Sequence, residues 1–193
     1  MARMPSAPST FDDDLALAHR LADAAAEVTL SFWRRDPQQW SKSDGSLATE
    51  ADVATEDRLR VILGEARQAD AILGEERGAS GSASRRWVLD GIDGTIAFAA
   101  GTGDWGTLIA LDVDGEVVLG LCVEPVRRRR TWAVLGGGAF RRNDGQESRR
   151  FSVSRGTSLA QARTYLPPAH YVPAAAAERY EHGLLWRIDG RGA

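Results

Sequence analysis

The segment from residue 87 to residue 95 reads Trp87-Val88-Leu89-Asp90-Gly91-Ile92-Asp93-Gly94-Thr95. Its apolar start predicts a short buried strand. The acidic residues and glycines that follow predict a tight turn at the carboxyl end of that strand. In such a turn the two aspartate side chains and the Ile92 carbonyl face one point. They are therefore candidate ligands for a cation.

A second acidic group follows another short apolar run. Ala71-Ile72-Leu73 predicts a second buried strand, and Gly74-Glu75-Glu76 comes directly after it. Mg²⁺ prefers oxygen ligands at short distances in octahedral geometry. Carboxylates at the ends of two adjacent strands would supply such ligands. We predict a Mg²⁺ site formed by Glu75, Asp90, Asp93 and the carbonyl oxygen of Ile92.

The residues beyond Asp93 predict a phosphate site and a group that activates water. Gly94 and Thr95 stand where a helix or loop begins, so their free N–H groups would bind an anion. The Thr95 hydroxyl would lie beside the attacking water. Asp52, near the start of a second predicted helix, would accept the proton of that water through Thr95. Two metal ions about 3.5–4 Å apart would stabilise the entering and leaving oxygens.

Each of these features alone has a simpler interpretation. Asp-Gly pairs are common in ordinary turns, and paired glutamates such as Glu75 and Glu76 are usually a solvated surface. Asp52 alone is an acid that the helix dipole favours in a first turn.

In combination, three elements resemble the inositol monophosphatase superfamily of Mg²⁺-dependent phosphatases. Residues 42–52 are similar to its lysine and its threonine-x-x-aspartate entry to a helix, and residues 73–76 to its Gly-Glu-Glu element. Residues 87–98 resemble its principal Asp-Pro-(Leu/Ile)-Asp-Gly-Thr signature. Bacterial histidinol-phosphate phosphatases look closest, from the opening helix, residues 105–111 and the arginine-rich turn before Trp132.

The resemblance implies an α/β fold, layered as α+β, and a metal-assisted hydrolase of a small phosphorylated metabolite such as histidinol phosphate or an inositol phosphate. It implies Mg²⁺ as cofactor and suggests a homodimer. It also implies roles for individual residues: metal binding by Glu75, Asp90, Ile92 and Asp93, catalysis by Asp52 and Thr95, and phosphate binding by Gly94 and Thr95. Lys42 is expected near the metal site.

The sequence departs from the family pattern at three points. Gly91 stands where the signature has proline, which we expect to loosen the turn, and Ile96 and Ala97 replace a polar pair. The sequence contains no Trp-Asp pair, although the family's Trp-Asp element completes a second metal site. Three interpretations stay open: a chain that is incomplete at its carboxyl end, a partner chain that completes the site, or a degenerate member that binds a phosphorylated ligand or a partner without turnover.

The remaining pattern predicts two regions. Residues 1–150 would form a helix pair and a largely antiparallel sheet, and residues 151–193 the start of a second α/β region. Apolar residues at three- and four-residue spacing predict a first helix that ends before Asp36-Pro37. A second helix is expected over 50–63, and Asp114-Gly115 predicts a hairpin.

Composition excludes several classes of partner. The formal net charge of −3 gives no basic surface for nucleic acid, and no apolar stretch reaches the roughly 18 residues of a membrane span. The single cysteine, Cys122, excludes an intrachain disulfide and favours a cytoplasmic protein. Arg127–Arg130 predicts either a solvated hairpin turn or a field that attracts an anionic substrate.

Overall fold

Two helices pack against each other and against one face of a sheet. The structure, a computed structural model, describes residues 11–153, and all but the last of these belong to one compact unit. Helix α1 spans Asp12–Phe32 and helix α2 spans Glu50–Ala66. The two helices contact each other. Helix α1 also contacts the middle of the sheet, and helix α2 contacts the strand that carries Asp90 and Asp93.

The helix boundaries follow local hydrogen bonding. Helix α2 begins at Glu50, as predicted, because Thr49 and Asp52 form a capping box. It runs three residues further than predicted, to Ala66, so that Gly64 lies inside its last turn. Residue Phe11 is the N-cap of α1 and provides no side-chain cap.

Within residues 11–153, the main sheet has eight strands in the order β10-β9-β8-β7-β6-β5-β3-β4. Among these strands only β3 and β5 pair in parallel, so the described part of the sheet is largely antiparallel. The strands are β3 (Ala71–Gly74), β4 (Gly78–Ser80), β5 (Arg85–Asp93), β6 (Gly106–Val113), β7 (Glu116–Glu124), β8 (Arg129–Val134), β9 (Gly138–Asn143) and β10 (Arg149–Phe151).

The predicted hairpin between β6 and β7 is confirmed. Val113 pairs with Glu116, and both residues of the turn have positive φ, 54° at Asp114 and 87° at Gly115. This is the backbone conformation for which an Asp-Gly pair is favoured, because aspartate tolerates it and glycine adopts it without strain.

A small separate sheet lies before α2. Strands β1 (Gln39–Ser41) and β2 (Leu47–Thr49) pair antiparallel and enclose a polar turn that begins at Lys42. Within this turn the Asp44 carboxylate accepts from the Ser46 amide at 2.9 Å. The hairpin thereby fixes the backbone at Lys42, whose ammonium group contacts Glu75 and Glu76.

The core lies between the helix pair and the sheet. Its buried apolar side chains come from α1, α2 and strands β5 to β8, and they include Leu21, Leu59, Leu63, Trp87, Leu89, Ile109, Leu111 and Leu119. Burial of each such side chain contributes roughly 1.5–3 kcal/mol. Trp87 is fully buried, and its indole N–H donates to Asp70 at 2.9 Å.

An ionic network at one end of the core joins both helices to the sheet. Asp14, which is only 6% exposed, accepts from Arg67 at the end of α2 and from Arg85 at the start of β5. Arg85 also pairs with Asp70. Asp14 therefore does more than complement the helix dipole: it ties α1 to the two elements that carry the candidate site.

The arginine-rich segment is a turn whose charges are largely matched. The pairs are Arg127 with Asp104 and Glu124, Arg128 with Asp144, Arg129 with Glu124, and Arg130 with Asp23. Because each guanidinium faces a carboxylate, the segment projects little net positive field. These contacts favour the solvated-turn interpretation over the field that attracts substrate.

Other predictions fall at or beyond the edge of the described residues. The alternation in Phe151-Ser152-Val153-Ser154 is typical of a strand, but strand β10 ends at Phe151. The second α/β region over 151–193 lies almost wholly outside the described residues and stays a prediction. Among the helices of residues 11–153, none is long and apolar enough to cross a membrane.

His19 lies on α1 and contacts Trp132 and Arg130 of β8. Its ring packs edge-on against Trp132, with centroids 4.8 Å apart, and its Nδ1 lies 3.1 Å from Nη1 of Arg130. A guanidinium only donates, so Nδ1 accepts and the ring is neutral. Burial, followed by the charges of Arg130 and Arg142, lowers the pKa of His19 to about 4, against a smaller opposing effect of Asp23.

We expect this histidine to make the fold acid-sensitive. Since the unfolded ring takes up a proton near its ordinary pKa of 6.5 and the folded ring only near a pKa of about 4, the free energy of unfolding decreases as pH falls from the first value to the second. His19→Gln should reduce the decrease. Urea denaturation of the wild type and the variant, near neutral pH and again near pH 4, measures this decrease in the free energy of unfolding. Equal losses in the two proteins would contradict the prediction.

Candidate active site

The parallel pairing of β3 with β5 places two acidic residues side by side. Gly74 pairs with Leu89, and the amide of Glu75 donates to the Leu89 carbonyl at 3.2 Å. Glu75 therefore lies next to Asp90 across the strand pair. Because parallel strands end at the same edge of a sheet, the two acidic groups lie at one edge here.

Asp90 and Asp93 lie within β5, whereas the sequence placed them in a turn after the strand. The strand continues to Asp93, and its pairing with β6 shifts register between the two aspartates. Such an irregularity twists a strand locally and re-aims its side chains. The turn comes one residue later, at Gly94, whose φ is 91°.

Gly94 ends the strand and starts a short helix, α3 (Thr95–Ala99). A side chain at Gly94 would meet the Asp104 carbonyl oxygen at 2.8 Å, so both space and backbone conformation require glycine there. Outside the regular ladders, no backbone hydrogen bond within residues 11–153 uses the amides of Gly94 or Thr95. The predicted phosphate-binding amides thus stand at the start of α3.

Asp52 and Thr95, the predicted catalytic pair, are in contact. The Thr95 hydroxyl lies 3.1 Å from Oδ1 of Asp52 and 3.1 Å from the Ile92 carbonyl oxygen. Its single proton can go to either acceptor. The two residues come from α2 and α3, far apart in sequence, and the fold brings them together with the predicted Ile92 ligand.

The Asp52 carboxylate is almost fully buried and is held in one orientation. Its Oδ2 accepts from the Thr49 amide at 2.8 Å and from the Thr49 hydroxyl at 2.6 Å. Burial raises the pKa of Asp52, although hydrogen bonds from Thr49 and Thr95 partly oppose the shift. A fixed carboxylate of raised pKa next to a hydroxyl is suited to accept a proton through that hydroxyl.

The site has a surplus of negative charge. Lys42 pairs with Glu75 at 2.7 Å and with Glu76 at 2.5 Å. Although burial acts to lower it, these hydrogen bonds raise the pKa of Lys42. Asp90 and Asp93 make no ion pair with any Lys or Arg of residues 11–153. Burial first, then repulsion by Glu75 and Asp93, holds the pKa of Asp90 well above its usual range.

The donor chemistry of this cluster fits a hard divalent cation. In the described part of the chain, no three His, Cys, Asp or Glu side chains converge closely enough, as they stand, to hold a metal ion. One oxygen of Glu75 is directed to Lys42 instead. The donors are nevertheless all oxygens, and a cation would relieve the repulsion by Glu75 and Asp93 that adds to burial in raising the pKa of Asp90.

Gly91 does not loosen the site, contrary to the expectation from its place in the signature. The residue is buried, and a Cβ there would lie 2.7 Å from the backbone carbonyl oxygen of Asp52. Its own carbonyl accepts from the buried Thr107 hydroxyl at 2.8 Å. Glycine therefore permits β5 to approach the backbone of α2 closely, and the contact sets the distance between Asp52 and the acidic strand.

Sequence reasoning missed two buried polar residues at the site, Thr107 and Glu56. Thr107 anchors β5 from the neighbouring strand. Glu56 is fully buried on α2, behind the turn that carries Glu75. The only signal for Glu56 was its place four residues after Asp52, on the same helix face.

Comparisons with known proteins agree with this geometry. The family model described as "Inositol monophosphatase family" matches residues 12–176. The chain is 43% identical over 168 residues to a glucose-1-phosphate thymidylyltransferase of Streptomyces griseus, covering 86% of this chain and 61% of that protein. It is 43% identical over 186 residues to a histidinol-phosphatase of Mycobacterium tuberculosis, covering 93% of this chain and 71% of that one.

Solved structures show the same fold. An IMPase of Thermotoga maritima superposes with a TM-score of 0.69 at 28% identity, covering 77% of this chain and 56% of that chain. The chain therefore spans between about half and seven tenths of the length of these relatives.

We predict that Gly91→Ala separates β5 from α2. The added methyl group meets backbone, which cannot yield as a flexible side chain would, so we expect a loss of about 1–3 kcal/mol in the free energy of unfolding. Gly64→Ala is the matched control: Gly64 lies within α2 with nothing within 4 Å of the added atom. Removing its backbone freedom should stabilise by about 0.5–1 kcal/mol. Urea denaturation compares the variants, and two equal effects would contradict the packing argument.

Proposed function

The chain belongs to the inositol monophosphatase family, and on that premise we propose that it hydrolyses the phosphate monoester of a small metabolite with Mg²⁺ as cofactor. One observation carries the proposal. The Thr95 hydroxyl is hydrogen-bonded to a buried carboxylate, Asp52, beside an acidic cluster at the ends of β3 and β5. This arrangement combines a group that takes a proton from water with oxygen ligands for a cation.

The residues that would hold Mg²⁺ are Glu75, Asp90, Asp93 and Ile92, the last through its carbonyl oxygen. When bound, the ion would polarise the phosphoryl group and lower the pKa of a coordinated water. The exposed Asp93 and the half-buried Asp90 provide the charge that holds it. Lys42 offsets part of the remaining charge through its contacts with Glu75 and Glu76.

Asp52 and Thr95 move the proton. Thr95 Oγ1 accepts a proton from the attacking water as it passes its own proton to Oδ1 of Asp52, 3.1 Å away. Thr49 holds the other carboxylate oxygen, so that Oδ1 stays directed at Thr95. The amides of Gly94 and Thr95 bind the phosphate oxygens at the start of α3.

Histidinol phosphate is the first substrate to test, and an inositol phosphate the second. Relatives named histidinol-phosphatase, from Mycobacterium tuberculosis and Streptomyces coelicolor, share 43% and 41% identity with this chain. A relative named inositol-1-monophosphatase, from Mesorhizobium japonicum, shares 35% over a shorter stretch of 101 residues. We further propose a cytoplasmic homodimer, because the family resemblance suggests a dimer and the lone cysteine suits a reducing compartment.

A second candidate function is ligand binding without turnover. It is favoured by the side-chain geometry, because within residues 11–153 no three His, Cys, Asp or Glu side chains converge closely enough, as they stand, to hold one metal ion, let alone two. A site with one metal would bind a phosphorylated ligand or a partner but would stabilise only part of the transition-state charge.

We expect phosphate release from histidinol phosphate to require Mg²⁺ and to fall by about 100-fold or more in Asp93→Asn, as loss of one preorganised electrostatic group commonly causes. Asp114→Asn is the matched control, because Asp114 lies in the β6–β7 turn and asparagine tolerates its positive φ. A colorimetric phosphate assay with and without chelator gives the rates. Turnover that persists in chelator would exclude the metal mechanism, and Mg²⁺ binding without turnover would favour the second function.

We also expect Asp90→Asn to stabilise the metal-free protein. The substitution replaces a half-buried carboxyl whose charged form is disfavoured first by burial and then by the charges of Glu75 and Asp93, so the melting temperature in chelator should rise. Added Mg²⁺ should then raise the melting temperature of the wild type but not of Asp90→Asn, because the variant lacks a ligand. Differential scanning calorimetry provides all four values. A melting temperature of the variant in chelator below that of the wild type would contradict the claim that the Asp90 carboxyl destabilises the metal-free protein.

A further inference from the structure

We propose that Glu56 is a positioning residue, whose buried carboxylate fixes the β3–β4 turn and thereby places Glu75 for metal binding. The proposal rests on the proposed function, because it assigns how that metal site is shaped. Glu56 lies on α2 and is fully buried. A buried carboxylate is retained only where several donors satisfy it, and the donors here identify what it holds.

Two of the donors are backbone amides of the turn. Oε2 of Glu56 accepts from the Glu76 amide at 2.7 Å, and Oε1 accepts from the Arg77 amide at 3.1 Å. These amides follow Glu75 directly in sequence. A carboxylate that binds two successive backbone N–H groups fixes the peptide planes at that point, and hence the direction in which the Glu75 side chain leaves the chain.

The other donor is Arg60, which clamps the far side of the turn. Its Nε donates to Oε1 of Glu56 at 2.7 Å, Nη1 to the Ser80 hydroxyl at 2.9 Å and Nη2 to the Gly78 carbonyl at 2.5 Å. The guanidinium also balances the charge of the buried carboxylate. One pair of side chains, one helical turn apart on α2, therefore holds both ends of the turn.

Gly74 supports the same interpretation from the opposite side. A Cβ at this position would lie 1.9 Å from Oε1 of Glu56. The backbone of Gly74 is ordinary strand, paired with Gly78 and Leu89. Glycine is therefore required at this position by the carboxylate packed against it, and not by a turn conformation. The Gly-Glu-Glu element and Glu56 form one packed unit.

Helix α2 sets the spacing within the site. Asp52 and Glu56 are four residues apart, which is one turn or about 6 Å along the axis. Asp52 contacts Thr95, and Glu56 contacts the turn of Glu75. A single rigid helix face thus fixes the distance between the water-activating pair and the metal ligand, and a displacement of the turn should weaken metal binding.

Glu56→Gln is the principal test. Glutamine has nearly the same shape but one acceptor oxygen, so it cannot satisfy both amides and Arg60. We expect amide hydrogen exchange at Glu76 and Arg77 to accelerate by about 10-fold or more, and Mg²⁺ affinity measured by calorimetry to fall by about 10-fold, as for other groups that orient metal ligands. Arg60→Lys, a milder change that keeps the charge, should produce a smaller shift in both quantities.

Asp57→Asn is the matched control. Asp57 follows Glu56 on α2 and also contacts Arg77, but through the Arg77 side chain, at 2.7 and 2.9 Å on the surface. We expect its exchange rates and Mg²⁺ affinity to equal those of the wild type. Both variants are measured well below their melting temperatures, so that a change in global stability alone alters neither the exchange rates nor the Mg²⁺ affinity.

Amide exchange and Mg²⁺ affinity together distinguish failure of the positioning role from failure of the proposed function. If folded Glu56→Gln binds Mg²⁺ with wild-type affinity and differs only in a lower melting temperature, the positioning role is wrong. Unchanged amide exchange at Glu76 and Arg77 would also overturn it. Absence of Mg²⁺ binding by the wild type would overturn the proposed function, and the exchange rates would still decide whether Glu56 fixes the turn.

Discussion

The parallel pairing of β3 with β5 is the constraint on which the site depends. It is the one parallel pair among the described strands of a sheet that is otherwise antiparallel. Because both strands run the same way, Glu75 and Asp90 leave the sheet at one edge. An antiparallel pairing would have sent the two acidic groups to opposite ends. The core residues Trp87 and Leu89 hold this pair against the helices.

Helix α2 acts as the rigid support behind that edge. It brings three kinds of contact to the acidic strands: the Asp52 carboxylate, the Asp52 backbone against Gly91, and the Glu56 carboxylate against Gly74. Both glycines are needed because backbone and carboxylate approach more closely than any Cβ allows. The buried carboxylates of Asp52 and Glu56 are tolerated here because each accepts three hydrogen bonds, and the low local dielectric makes those hydrogen bonds strong.

Charge repulsion distinguishes the site from the ionic contacts elsewhere. In the arginine-rich turn and around Asp14, guanidinium groups match the carboxylates. Around the ends of β3 and β5, five acidic side chains lie near a single lysine, Lys42, which pairs with two of them, Glu75 and Glu76. The five are Asp52, Glu75, Glu76, Asp90 and Asp93. Packing of like charges costs folding free energy, and a divalent cation would offset that cost on binding.

The sequence by itself determined the elements that depend on neighbouring residues. The apolar spacing of α1, the start of α2 at Glu50 and the Asp-Gly hairpin are local signals, and all three are observed. The order of the three motifs likewise indicated the family, which the family match over residues 12–176 confirms.

Tertiary structure alone decided the contacts between residues distant in the chain. The continuation of β5 through Asp93 depends on its pairing with β6, and the need for glycine at residue 91 depends on a helix some forty positions earlier. The same holds for Glu56, whose partners are 20 and 21 residues away. Local pattern carries no record of which backbone groups a buried carboxylate will meet, because that is set only when helix and sheet pack together.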